Sequence, residues 1–135
     1  MLPLRFSGRW RLAGACLLLA VLAGALLPVW LFPDLPVREV VALDKWIHGV
    51  AFLVLGAWFS GQYRRSAYWR VALGLLAFGA LIELCQYLTV YRSAELEDFL
   101  ADAVGLALGL GLGLAGHGGW SLRLEDWLLE RRQAR

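Results

Sequence analysis

Four runs of apolar residues, each near the length a helix needs to cross a bilayer, constrain this chain more than any other feature. They cover about residues 12–32, 46–61, 68–90 and 99–115, against the roughly 20 residues that a hydrocarbon core demands of a spanning helix. Apolarity in them is continuous rather than alternating, and Leu and Ala dominate, which selects helices over barrel strands. A soluble domain of 135 residues that is 60% hydrophobic has too little interior to bury that much apolar surface. The expected fold is an all-α membrane protein with a four-transmembrane-helix bundle. Residues 1–11 are expected to form a basic amino-terminal segment, 12–116 the membrane domain and 117–135 an amphipathic tail.

Orientation follows from where lysine and arginine fall. Arg5, Arg9 and Arg11 precede the first run, Arg64, Arg65 and Arg70 separate the second and third, and Arg123, Arg131, Arg132 and Arg135 follow the fourth. The other two connections hold only Arg38, Lys45 and Arg92, so ten of the 13 basic residues lie on one side. Both ends are therefore expected in the cytoplasm. Trp10, Trp58, Trp69 and Trp120 fall at the predicted inner ends, and Trp30 and Trp46 at the outer ends, as an aromatic belt requires. In the tail, Trp120, Leu124, Trp127 and Leu128 share a helix face, predicting a short amphipathic interfacial helix.

A cleaved signal peptide ending at Ala23-Gly24-Ala25 is the rival for the first run. The apolar stretch continues to Phe32, which favours a retained span. Cys16 and Cys85 fall at different depths and read as buried thiols rather than a disulfide pair. A net charge of +2 carries no nucleic-acid footprint, and none is expected as a partner.

Ionisable residues within a span are costly and each needs a reason. Asp44 and Lys45 open the second run, with His48 one turn deeper on the face of Asp44. Glu83 and Gln86 lie three apart in the third run. Glu83 is seven residues before Val90 and so about 10 Å below the outer end at ~1.5 Å per residue. Asp98 opens the fourth run as a candidate helix cap, Asp102 follows one turn later, and Arg92 sits in the connection between. Three helices thus bring polar groups to one depth, predicting a shared outward-facing pocket. Asp44, Glu83, Asp98 and Asp102 outweigh Lys45 and Arg92 by two charges, while Glu95 and Glu97 read as solvated loop charges. In the fourth run Ala101, Gly105, Gly109 and Gly113 form a small-residue stripe, suited to packing against a neighbouring span or to a dimer seam.

The ordered set resembles the VanZ-like family of small bacterial membrane proteins. Asp44, Lys45, His48 and Phe52, followed by Leu55-Gly56, match its first block, and Glu83, Gln86, Arg92, Asp98 and Gly105 its second. Asp102 stands where that pattern often has asparagine. The family takes its name from a protein associated with low-level teicoplanin resistance, and the resemblance brings no settled biochemical activity with it.

The leading expectation is binding of a lipid headgroup or glycopeptide-like ligand of the cell envelope, with Lys45 and Arg92 meeting anionic groups. A small membrane enzyme acting on a lipid phosphate is the alternative, with Glu83 or His48 moving protons. A metal version of it would use His48 with Glu83 and Asp98 or Asp102. Dense metal-ligand spacing is absent, so no metal and no cofactor is expected. A structural subunit, self-associating or joined to another membrane protein through the glycine stripe, is the third reading.

Overall fold

The computed structural model describes residues 1–27, 37–89 and 95–133, and the side chains of all of these except 37–41 and 133. Five helices follow in order: α1 (Ser7–Ala25), α2 (Val37–Gln62), α3 (Tyr68–Tyr87), α4 (Leu96–Leu112) and α5 (Trp120–Gln133). The described residues hold no strand. Four stretches are long and apolar enough to cross a membrane, at Ser7–Ala25, Ala42–Gln62, Arg65–Tyr87 and Leu96–His117.

Burial runs against the pattern of a water-soluble fold. Leu12, Leu19, Val50, Leu73, Leu81 and Leu108 are exposed, while His48, Ser60, Gln62, Gln86, Asp98, Asp102, Ser121 and Glu125 are buried. In lipid, apolar side chains face outward at no cost and polar groups must find partners within the bundle. The protein is a membrane protein.

α2 is the hub. Its contact with α4 is the most extensive in the molecule, because small residues face each other along it. A Cβ on Gly105 would collide with the Gly49 carbonyl, and one on Gly109 with the Leu53 carbonyl. Gly113 lies against Ser60, and Ala101 approaches Gly49 through its carbonyl. The stripe of α4 is therefore filled by α2 of the same chain. Carbonyls in the last turns of α2, the final ones of which a helix leaves unpaired, receive donors from elsewhere in the chain. Trp120 Nε1 donates to the Ala57 carbonyl (3.1 Å) and Tyr68 Oη to that of Ser60 (3.0 Å). The Leu2 amide donates to that of Gln62 (2.7 Å).

α4 ends in a wide turn closed by the Gly118 amide on the Gly113 carbonyl (3.0 Å). Gly116 (φ 115°) and Gly119 (φ 72°) take up left-handed backbone there, which glycine adopts without steric penalty. The chain then folds back as α5, burying Ser121 and Glu125 and leaving Leu124, Trp127 and Leu128 exposed. That outward apolar face is what an interfacial helix offers a membrane surface.

Helix ends depart from the sequence expectation. α1 begins at Ser7 and α2 at Val37, so Asp44 and Lys45 lie inside a helix rather than opening one, and α3 ends at Tyr87. The outer part of the first run, with Trp30, falls outside the described residues. Trp10, Trp58 and Trp120 form a mutual cluster with ring centroids 5.4–5.6 Å apart; of the four inner-end tryptophans, only Trp69 is exposed.

Candidate functional site

Close approach of α2 and α4 at Gly49 and Gly105 brings the turns just beyond that contact face to face. His48 precedes Gly49 and Asp102 lies three residues before Gly105, so the two meet: His48 Nδ1 is 2.9 Å from Asp102 Oδ1. Both are buried, His48 at 3% and Asp102 at 0% exposure. With its proton on Nδ1 the imidazole donates to the carboxylate, which fixes the ring and leaves Nε2 free. Asp102 Oδ2 reaches toward α3, into the space left by a missing side chain. A Cβ on Gly79 would stand 2.7 Å from that oxygen and 3.2 Å from Phe52 Cζ.

α3 contributes Glu83 one turn beyond Gly79. Glu83 Oε2 accepts the Glu95 backbone amide at 2.9 Å, joining α3 to the residue that opens α4. Gln86, fully buried, donates from Nε2 to the Ala25 carbonyl at 3.1 Å. Ala25 is the last residue of α1, whose terminal carbonyls lack helical partners, so Gln86 serves as a cap from a neighbouring helix.

At the mouth, Lys45 Nζ pairs with Glu95 Oε2 (2.6 Å), Glu97 Oε2 (3.3 Å) and Asp98 Oδ1 (3.4 Å). Asp98, 2% exposed, lies in the first turn of α4 and pairs with Lys45. Glu95, expected to be a solvated loop charge, is the nearest of the three to Lys45, at the start of α4. Arg92 lies outside the described residues. Among those described, Asp44, Glu83, Glu95, Glu97, Asp98 and Asp102 stand against Lys45 and His48, a strongly acidic constellation.

Two overlapping trios bring one potential ligand atom per residue within 4.8 Å of one another: Asp44, His48 and Asp98, and His48, Glu83 and Asp102. Four buried atoms of the cluster have no hydrogen-bond partner: His48 Nε2, Glu83 Oε1, Gln86 Oε1 and Asp102 Oδ2. Buried polar atoms are almost always paired in native proteins, and four of the seven unpaired ones among the described residues belong to this cluster. His48 also forms part of the wall of a cavity of about 280 Å³ between α1, α2 and α3, with Ala20, Gly24, Ile47, Phe52 and Ile82. A groove of about 420 Å³ runs down the α2–α4 seam from Lys45 and Glu97, past Trp46 and Val50 to Leu108. The cluster can accept hydrogen bonds, hold a cation, or present an imidazole base oriented by a carboxylate.

At the opposite end Glu125 clasps the chain's start. Its carboxylate accepts the amides of Arg5 (2.7 Å) and Phe6 (2.9 Å) and the Trp10 indole N–H (2.7 Å). Burial pushes the Glu125 carboxyl up, but these three donors with the Arg5 charge outweigh it and hold it below the usual range. Sequence reasoning missed Glu125 because it resembles any tail charge. The available signal was its position four residues after Ser121, on a face apart from the apolar one.

The family model described as VanZ/LLP1 matches residues 20–116. No match was found among curated proteins or among solved structures.

Proposed function

This chain belongs to the VanZ/LLP1 family, and we propose that it binds the polar headgroup of an envelope lipid or glycopeptide-like ligand in the cluster of His48, Glu83, Gln86 and Asp102. The observation that carries this reading is the group of four unpaired buried atoms in that cluster, beside a cavity that His48 lines. Each such atom left unsatisfied costs about 1–3 kcal/mol, and a ligand that pairs them recovers that cost. The α2–α4 groove, apolar below and polar at its Lys45–Glu97 end, suits an acyl chain whose headgroup reaches the cluster. The arginine distribution supports reading this end as the outer one in a bacterial inner membrane.

The test is a thermal-shift panel on the purified protein with phosphatidylethanolamine, phosphatidylglycerol and a polyprenyl phosphate. One headgroup class should raise the Tm of the native protein and leave Asp102→Asn unmoved. Equal responses in both, or none in either, would count against the reading.

The His48–Asp102 pair favours a second reading, hydrolysis of a lipid phosphate with His48 as general base. An imidazole held at Nδ1 by a carboxylate, with Nε2 unpaired, is the arrangement that positions a base for proton abstraction. Phosphate release from a polyprenyl phosphate, abolished by His48→Gln, would select it over simple binding.

A further inference from the structure

We propose that His48, Glu83 and Asp102 form a binding site for a divalent transition-metal ion, zinc being the best fit. The proposal deepens the headgroup reading above by naming what the headgroup meets. Its starting point is a conflict of sign. A phosphate-bearing headgroup needs positive charge, yet among the described residues the cluster is acidic and Lys45 is shared among Glu95, Glu97 and Asp98. A bound dication inverts the local field and turns an anion-repelling pocket into an anion-binding one.

The geometry suits such an ion. One ligand atom from each of the three residues lies within 4.8 Å of the other two, so a modest inward movement brings them to coordination distances of about 2.0–2.2 Å. Each residue also retains a buried atom with no partner: His48 Nε2, Glu83 Oε1 and Asp102 Oδ2. His48 and Asp102 are more than nine-tenths buried, so solvent does not reach them freely.

Glu83 Oε2 is held by the Glu95 amide, which leaves Oε1 for the ion. His48 Nδ1 and Asp102 Oδ1 already face each other at 2.9 Å, and the ion would take the place of the proton they share. Gly79 contributes the space, since any side chain there would press on Asp102 Oδ2. One imidazole with two carboxylates favours zinc or a similar transition ion over magnesium or calcium. Three protein ligands leave a coordination position open, available to a phosphate oxygen.

The full-length protein, purified in detergent and stripped with EDTA, is titrated with Zn²⁺ and its metal content measured. One equivalent should be retained with a rise in Tm. Asp102→Asn and Glu83→Gln should each weaken binding 10–100-fold, while the exposed tail variant Glu130→Gln binds as the unaltered protein does. X-ray absorption on the zinc-loaded unaltered protein keeps the test open if a variant fails to fold. A nitrogen and oxygen shell that includes one imidazole is expected. No retained zinc, equal affinity in the variants, or a sulfur shell from Cys16 or Cys85 overturns the proposal.

Repeating the lipid panel with and without Zn²⁺ separates the two readings. Headgroup binding that ignores zinc overturns the metal site and leaves the binding function standing. Stoichiometric zinc with no lipid response does the reverse.

Discussion

Asp102 shows how tightly the cluster is built at the level of single residues. One of its oxygens is engaged by His48 and the other occupies the space above Gly79, so neither can move without disturbing a second helix. Gly79→Ala should therefore displace the carboxylate. We expect a stability loss of about 1–3 kcal/mol from overpacking, measured by thermal unfolding in detergent, with a shift in the His48 imidazole ¹⁵N signals as its partner withdraws. Unchanged imidazole signals would argue that Asp102 accommodates the methyl group and that Gly79 has no part in the site. The importance of Asp102 and His48 was legible in the sequence, because ionisable residues in spans stand out. That of Gly79 was not, since a glycine's role depends on what lies across from it. Glu95 misled for a related reason: its partner Lys45 is 50 residues away in sequence, and nothing local announces the pair.

Between elements, the decisive contact is α2 against α4, which lets backbones approach where most helices hold side chains. Gly105→Val should force the pair apart at the Gly49 carbonyl. It should cost at least the ~1–3 kcal/mol typical of overpacking and lengthen the His48–Asp102 approach one turn away. Unfolding in detergent would measure the first effect, and a labelled pair across α2 and α4 the second. α5 is tied to the start of the chain by the Glu125 carboxylate, beside the contact of Trp120 with Trp10. Glu125→Ala leaves two amides and an indole N–H without their acceptor, and a loss of about 1–3 kcal/mol is expected. The pH dependence has a definite sign. The folded carboxyl lies below the ordinary range, so its contribution is complete above the unfolded value of about 4.3. It is lost as pH falls through the lower folded value. Increasing proteolysis of α5 on acidification, absent in Glu125→Gln, would show this. Helix existence was legible from apolar runs, but the boundaries were not. α2 carries its helix nine residues before Trp46 because polar residues at a membrane surface continue a helix without interrupting it.

For the whole molecule, four membrane-spanning helices follow from composition and run length alone, since no soluble packing accommodates so much apolar surface. The Glu125 clasp brings the start of the chain and α5 to one end of the bundle, as the arginine count predicts for segments on the same side of a membrane. Cysteines introduced at Asp126 and at Glu97 should react with a membrane-impermeant reagent from opposite sides, Glu97 from outside. That three helices bring their polar residues together was legible, but which atoms pair was not, because His48, Glu83 and Asp102 follow no ligand spacing along the chain. Each helix supplies one of them, and only packing brings them within 4.8 Å. The central claim is that this cluster is a binding site rather than a polar packing device. Native mass spectrometry of the protein released from its own membrane tests that most directly. The unaltered protein should carry one stoichiometric envelope lipid or glycopeptide-like molecule, and the folded Asp102→Asn variant should lack it. A native spectrum free of such a ligand, or one that the variant reproduces, would contradict the account.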